Sequence, residues 1–228
     1  MRCKHVRVKE VPLRLMLGLL AVVLVAGCAG TDDARKRVSE SEGRYKEGAS
    51  FLETDQQRAF VAFQKAIELN PDSFDAHYAL GGIYFKRKQL VEAEREFRVA
   101  SELNPNDGET LNYLGRTLML QGRRPEAIAL LRKATKLPLY AKPDIAFTDL
   151  ASVLESEGDL AGAIDAYQSA LRTDPPNVPR SYIYLWLGRL YTKQGDAPKA
   201  RSALAEAKAL DPDGIVGTEA ARLLQRLK

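Results

Sequence analysis

The chain has 228 residues, with 34 Lys or Arg against 30 Asp or Glu, which gives a formal net charge of +4. Residues 1–27 hold five of the 34 basic residues and one of the 30 acidic residues, so the remainder carries 29 of each. Nucleic-acid binding needs a net basic footprint, and this balanced remainder offers none. We therefore predict no nucleic-acid partner.

The inventory of reactive side chains is small. The chain has two Cys, Cys3 and Cys28, and two His, His5 and His77. Metal sites draw on clustered Cys, His, Asp and Glu, and nucleophilic catalysis needs a nucleophile beside a base. We accordingly predict a protein that is not an enzyme, with no metal, no cofactor and no small-molecule substrate.

The N-terminus is arranged in a way that is typical of a secretory signal peptide. Residues 1–14 are basic, and residues 15–27, LMLGLLAVVLVAG, are uncharged and apolar. A helix of this apolar stretch would rise about 20 Å, less than the bilayer core of about 30 Å. We predict that residues 1–27 are a signal peptide and not a permanent transmembrane helix.

The apolar stretch ends in Val25-Ala26-Gly27-Cys28, which resembles the lipobox of bacterial lipoproteins. The resemblance implies cleavage before Cys28 and covalent lipid, of the palmitate type, at that residue. Two or three acyl chains anchor a protein stably in a membrane. Ala29 after the cysteine implies sorting to the outer membrane, facing the periplasm, with residues 28–39 as a lipidated tether. The alternative is an ordinary signal peptide followed by a chance cysteine.

The rest of the chain repeats with a period near 34 residues. Residues 74–107 carry a Leu-Gly pair at Leu80 and Gly81, then Tyr84, Ala93, Phe97, Ala100 and Pro105. This pattern resembles the tetratricopeptide repeat (TPR), a helix-turn-helix unit. The resemblance implies an all-α TPR superhelix with five repeats at about 40–73, 74–107, 108–141, 144–179 and 181–214. Residues 215–228 are predicted to form a capping helix, which Thr218 can cap.

The glycines within the repeats have two predicted roles. Gly81, Gly115 and Gly188 let neighbouring helices approach closely. Gly122, Gly158 and Gly195 lie between the two helices of a repeat, where a positive φ ends the first helix without strain. Both roles are structural and involve no chemistry.

In TPR proteins the first helix of each repeat lines a concave groove that binds protein segments. The resemblance assigns that groove to Tyr45, Leu52, Tyr78, Phe85, Asn112, Arg116, Met119, Thr148, Ser152, Tyr182, Leu185 and Arg189. An apolar and aromatic groove suits an amphipathic helix or an extended apolar segment. The alternative is that Tyr78 and Phe85 are buried by neighbouring helices and only frame the groove. Trp186 and His77 are predicted to be packing or rim residues.

The junction between repeats three and four breaks the period. It carries Pro138-Leu139-Tyr140 and Pro143, after Ala134 and before Phe147 and Leu150. Together with the lipobox, it resembles the pilotin lipoproteins of type IV pili (PilF/PilW/Tgl type). The resemblance implies a partner, the secretin, whose outer-membrane assembly the protein would promote for pilus biogenesis and motility.

Two alternatives to the pilotin prediction stay open. The junction is also explained by a tolerated loop insertion. A TPR lipoprotein adaptor that scaffolds cell-wall hydrolases, or another envelope complex, would share every other feature. Family members often carry six repeats where five are counted here, and repeat one lacks one residue between its helices, so the ends of the groove also stay open.

Overall fold

The computed structural model describes the backbone of residues 13–227 and the side chains of residues 32–227. Over this range the chain forms eleven α-helices and no strand, which confirms the all-α TPR prediction. The helices are α1 Leu13–Phe51, α2 Gln56–Leu69, α3 Phe74–Lys86, α4 Leu90–Leu103, α5 Gly108–Leu120, α6 Arg124–Ala134, α7 Pro143–Ser156, α8 Leu160–Ala170, α9 Arg180–Gln194, α10 Ala197–Leu210 and α11 Ile215–Arg226.

No helix in the described part of the chain combines the length and the hydropathy that are needed to cross a bilayer. The side chain of Cys28, the predicted lipid attachment point, lies outside the described residues, as do residues 1–12 of the predicted signal peptide.

The chain divides into two compact units, residues 1–71 and residues 72–228. In the first unit, the end of α1 packs on α2: the Ser41 hydroxyl donates to the Ala66 carbonyl at 2.8 Å, and Gly48 lies against the ring of Phe63. Residues 32–40 are exposed but helical. The described part of the predicted tether is therefore a helical continuation of α1.

In the second unit, consecutive helices form antiparallel pairs: α3 with α4, α5 with α6, α7 with α8, and α9 with α10. Close approach within a pair depends on the predicted small residues. A Cβ atom on Gly81 would lie 2.8 Å from a ring carbon of Phe97, and one on Gly188 would lie 2.5 Å from Leu204 Cγ. These distances are shorter than van der Waals contact, which confirms the prediction for these glycines.

In repeats two to five, the turn between the two helices contains one residue with positive φ. Gly122, Gly158 and Gly195 have φ values of 80°, 84° and 82°, as predicted. Repeat two differs, because Lys88 occupies this position with a φ of 62°. A side chain with a Cβ atom is strained in this conformation, so repeat two uses an unfavourable residue in its turn.

Aspartate begins four of the described helices. Asp55, Asp107, Asp159 and Asp196 each accept a hydrogen bond from the backbone N–H three residues later, at 2.7 to 3.1 Å. These bonds satisfy N–H groups that have no partner within their own helix. The carboxylates also lie at the positive end of the helix dipole, which adds to their stabilising effect.

Helix α11 covers the apolar face of the last pair. Val216 and Ala220 are buried with Leu185, Leu204 and Ala207, and Leu223, Leu224 and Leu227 pack against this cluster. The helix lies within the predicted range of 215–228, but Thr218 is not its N-cap residue. Gly214 is the N-cap, and the Asp211 carboxylate accepts from the Val216 N–H in the first turn at 3.0 Å.

Asp144 holds the loop between α8 and α9 against the start of α7. Its side chain is fully buried and accepts three hydrogen bonds, from the Asn177 N–H at 2.6 Å, the Val178 N–H at 2.8 Å and Asn177 Nδ2 at 2.9 Å. A buried carboxylate is tolerated only when donors replace the lost water. This contact therefore fixes the position of α9 relative to α7.

Candidate protein-binding groove

Two of the predicted groove residues, Tyr45 and Leu52, lie in the first unit. Tyr45 is half-buried, and its ring centroid is 5.8 Å from that of Phe63. Leu52 lies in the turn after α1, because the Asp55 N–H donates to the Phe51 carbonyl at 2.7 Å and the helix ends there. The prediction that Leu52 lies on a first helix is therefore wrong.

In the second unit, Tyr78 and Phe85 pack on Tyr113, a residue that the repeat pattern did not single out. The ring of Tyr113 lies 5.9 Å from that of Tyr78, 5.7 Å from that of Phe85 and 5.5 Å from that of Phe97. Tyr78 and Phe85 remain half-buried. They are thus parts of an aromatic cluster between α3 and α5, and each keeps a partly accessible surface.

Burial, followed by the nearby Glu109 carboxylate and the Tyr113 hydroxyl, raises the pKa of Tyr78 well above its ordinary value. The Tyr78 hydroxyl therefore stays protonated and forms a hydrogen bond with Glu109. The aromatic cluster therefore offers a partner a neutral phenol at this position and no ionised phenolate.

Asn112 and Arg116 both contact Asp149 on α7. Asn112 Nδ2 donates to Asp149 Oδ2 at 3.0 Å, and Arg116 Nε lies 3.6 Å from the same oxygen. The Arg116 guanidinium also lies 5.2 Å from the ring centroid of Phe85, a distance suited to a cation–π contact. Arg116 thus joins the aromatic cluster to the charged residues of repeat four.

Asn112 is 2% exposed, so the prediction that it offers its side chain to a partner is wrong. It acts on the groove through Asp149. Its Oδ1 atom is buried and accepts no hydrogen bond from any described residue. Burial raises the pKa of Asp149, against the opposing effects of Arg116 and Asn112. The Asp149 side chain is 20% exposed, less than Glu219 at 24% and Glu155 at 29%.

A cleft of about 550 Å³ opens between the first helices of repeats four and five. Its walls include the predicted residues Thr148, Ser152 and Arg189, and its floor includes Trp186. The Trp186 ring stacks on that of Tyr167 at 5.3 Å and lies 5.9 Å from that of Tyr182. The structure therefore makes Trp186 a cleft residue, which the sequence prediction missed.

The other predicted residues differ in accessibility. Met119 is half-buried and Tyr182 is 41% exposed, so both can touch a partner. Leu185 is 5% exposed and lies in the cluster beneath α11. Its predicted place in the groove is wrong, because the capping helix covers it.

The junction between repeats three and four is held by Tyr140. This residue packs on Leu111, Ala134 and Ala146, and a Cβ atom on Gly108 would lie 2.5 Å from Tyr140 Cγ. The neighbouring Leu139 is 94% exposed. The segment is therefore anchored by its tyrosine and presents its leucine to solvent.

Among the described residues, no group of three or more His, Cys, Asp or Glu side chains could hold a metal ion. His77 is 7% exposed, and its Nδ1 lies 2.7 Å from Glu96 Oε2. It belongs to a buried pair within repeat two, in agreement with its predicted packing role.

Models of the tetratricopeptide repeat match residues 50–111 and 154–227, and a second such model matches residues 92–144 and 112–179. The chain belongs to the tetratricopeptide repeat family. Stacked TPR helix pairs present extended surfaces to which other proteins bind. The groove described above is the candidate for such a surface in this TPR protein.

Two curated relatives match most of this TPR protein. It is 28% identical to type IV pilus assembly protein PilF of Pseudomonas aeruginosa over 167 residues, covering 70% of this chain and 66% of that one. It is 28% identical to cellulose synthase operon protein C of Pseudomonas fluorescens over 187 residues, covering 78% of this chain and 14% of that protein. The chain spans less than two thirds of the length of either relative.

Solved structures share the fold. The structure of PilF from Pseudomonas aeruginosa has a TM-score of 0.66 at 23% identity and covers 84% of this chain and 93% of that one. The type IV pilus biogenesis factor PilW has a TM-score of 0.65 at 19% identity, covering 82% and 92%. YrrB, described as a TPR protein with an unusual peptide-binding site, has a TM-score of 0.66 at 21% identity, covering 83% and 97%.

Proposed function

We propose that this TPR protein is a pilotin lipoprotein, which binds secretin subunits and promotes their assembly in the outer membrane during type IV pilus biogenesis. The observation that carries the proposal is the similarity to PilF along 70% of the chain. The junction at Pro138-Leu139-Tyr140 supports it, because Tyr140 is built into the packing between repeats three and four.

The groove supports a role in binding rather than in catalysis. Its first half is an aromatic cluster around Tyr113, and its second half is a cleft over Trp186. Partly exposed aromatic side chains bind apolar segments at little cost in conformational entropy. Such a groove would shield an aggregation-prone segment of a secretin subunit until that segment pairs with its neighbours.

The proposal includes a lipid anchor at Cys28 and a position at the periplasmic face of the outer membrane. The predicted signal peptide and the resemblance of residues 25–28 to a lipobox support it, and Cys28→Ser tests it directly. We expect the Cys28→Ser protein to leave the outer-membrane fraction and the uncleaved signal peptide to persist. Radiolabelled palmitate should be incorporated by the unmodified protein alone. Palmitate incorporation into the Cys28→Ser protein would contradict the anchor.

The partner is tested by crosslinking in the cell envelope with an affinity-tagged full-length protein, followed by mass spectrometry of the captured proteins. We expect the secretin among them, together with fewer secretin multimers and lost pilus-dependent motility in a deletion strain. Normal secretin multimers in that strain would refute the proposal. Capture of a cell-wall hydrolase with an altered cell shape would instead support the adaptor function.

The groove is tested with Tyr182→Ala combined with Met119→Ala, because both side chains are accessible and both lie outside the buried core. Truncation of an anchoring residue at an interface costs more than about 1 kcal/mol, or roughly fivefold in affinity. We therefore expect captured secretin to fall by about that factor. Val91→Ala is the matched control, since Val91 is 74% exposed on the second helix of its repeat.

A further inference from the structure

The cleft of repeats four and five has an aromatic floor and charged walls. Trp186 and Tyr167 form the floor, Asp149 and Glu155 lie on the α7 wall, and the α9 wall carries basic residues, Arg189 and Lys193. An aromatic floor accepts an apolar side chain, and charged walls select the residues beside it. The distribution of charge between the walls therefore decides which segment fits.

Three ion pairs have at least one member on the wall of the cleft, and in each the basic member is the more exposed. The Arg189 side chain is 45% exposed and its partner Glu219 is 24% exposed. Lys193 is 56% exposed and Glu155 is 29% exposed. The same order holds for Arg116 at 35% and Asp149 at 20%. An approaching segment therefore meets the cations first.

The hydrogen-bonding capacity of the wall residues also favours a segment that brings acceptors to the basic α9 wall. Glu219 already accepts from Arg189 at 3.1 Å and from Arg222 at 2.6 and 2.7 Å, and Asp149 accepts from Asn112. A guanidinium has five N–H donors and an ammonium has three. The contact from Arg189 to Glu219 uses Nη2. Arg189 and Lys193 therefore carry more N–H donors than their contacts with Glu219 and Glu155 use. An incoming acceptor can bind to the remaining donors.

We propose that this cleft binds an acidic polypeptide segment that carries an apolar side chain between its carboxylates. The apolar side chain packs on Trp186, and the flanking carboxylates pair with Arg189 and Lys193. The inference deepens the proposed function and rests on it to the extent that the groove binds a segment of another protein. The proposed segment is defined by its acidic and apolar side chains, whichever envelope protein contains it.

Trp186 provides a direct readout, because it is the single tryptophan of the chain. The probes are three blocked nonapeptides in which Leu alternates with Glu, with Gln or with Lys. Each is titrated into the purified full-length protein while Trp186 emission is followed at low and at physiological salt. We expect the Glu peptide to bind about tenfold more tightly than the Lys peptide, with a difference that shrinks as salt rises.

The basic wall is tested with Arg189→Gln combined with Lys193→Gln. We expect the affinity for the Glu peptide to fall about tenfold while the affinity for the Gln peptide stays the same. Arg132→Gln with Lys133→Gln is the matched control, because both residues are exposed on α6 and do not line the cleft. Equal or tighter binding of the Lys peptide, or no change in Trp186 emission with any peptide, would overturn the inference.

A second variant keeps the test decisive if the double variant fails to fold. Glu155→Gln removes the carboxylate that pairs with Lys193, so the Glu peptide should bind about two- to threefold more tightly. Unchanged or weaker binding would overturn the inference. If the peptides behave as expected and no secretin is captured from the envelope, the inference on the cleft stands and the proposed partner is wrong.

Discussion

Tyr140 lies so close to Gly108 that a Cβ atom at position 108 would come within 2.5 Å of the Tyr140 Cγ atom. Gly108 is the first residue of α5, and Tyr140 belongs to the segment that leads into α7. The contact therefore ties the start of repeat three to the start of repeat four. Leu139 is exposed, because its neighbour Tyr140 takes the partly buried position at this junction.

This contact predicts that the effect of Gly108→Ala on stability changes sign when Tyr140 is replaced by Ala. Gly108→Ala alone should destabilise the protein by about 1–3 kcal/mol, because the added methyl group displaces the tyrosine ring. Tyr140→Ala alone should cost about 2 kcal/mol through lost packing on Leu111, Ala134 and Ala146. In the Tyr140→Ala background, Gly108→Ala should become neutral or stabilising, because alanine is the better helix former. Urea denaturation of the four proteins measures this coupling.

The cycle has a built-in control in Gly43→Ala, since a Cβ atom on Gly43 would meet no atom within 4 Å. That substitution should be neutral or stabilising with either residue at position 140. Additive effects of the Gly108 and Tyr140 substitutions would show that the tyrosine moves away from the glycine without cost.

The repeat architecture was predictable because its determinants are local. Gly122, Gly158 and Gly195 recur at a fixed place in each unit, and their positive φ follows from that place alone. Lys88 shows the limit of the pattern, because the backbone of repeat two adopts the same conformation without the glycine that signals it. The packing of the neighbouring helices imposes that conformation, whatever residue occupies the turn.

Lys88→Gly should stabilise the protein by about 0.5–1 kcal/mol. Glycine removes the strain of the left-handed conformation and loses more chain entropy on folding, and the first effect is the larger. Lys88 is exposed, so little packing is lost. Thermal and urea unfolding measure the gain. The matched reverse change, Gly122→Ala, should destabilise by about 1 kcal/mol, and a stabilising Gly122→Ala would contradict the explanation.

The cleft and its support were harder to predict, because they depend on residues far apart in the sequence. Asp144 and Asn177 are 33 positions apart, and no spacing rule links a carboxylate at the start of a repeat to the loop at its end. The sequence pattern predicts Trp186 to be a packing or rim residue. Its place in the cleft depends on stacking against Tyr167 of α8, which the pattern does not reveal. Asn112 follows the family position for a groove residue, yet its bond to Asp149 turns it into a buried support.

Asp144→Asn should cost about 2–3 kcal/mol in the free energy of unfolding. The amide has one acceptor oxygen where the carboxylate has two, so its NH2 group would face one of the donors from Asn177 or Val178. Hydrogen exchange should also rise at the Asn177 and Val178 amides. Asp165→Asn on the exposed side of α8 is the control and should change stability little. An unchanged Asp144→Asn protein would mean that the loop does not depend on this clamp.

The raised pKa of Asp149 predicts how stability depends on pH. Burial is the main cause, while Arg116 and Asn112 oppose it. In the unfolded chain this carboxyl titrates near its ordinary value of about 3.9. Between that value and the higher folded-state pKa, the native protein binds more protons than the unfolded chain. The Asp149 contribution to stability is therefore lost as pH rises through this window.

Arg116→Gln should raise the pKa of Asp149 further, because it removes the cation 3.6 Å from Oδ2 and leaves the burial unchanged. The pH window then extends upward, and more stability is lost on the way to neutral pH. Carboxyl NMR titration of Asp149 measures the pKa, and urea denaturation across the same pH series measures its effect on stability. Arg132→Gln on α6 should alter neither. A lower pKa of Asp149 in Arg116→Gln would show that solvent enters when the guanidinium leaves, and that Arg116 itself keeps this carboxylate dry.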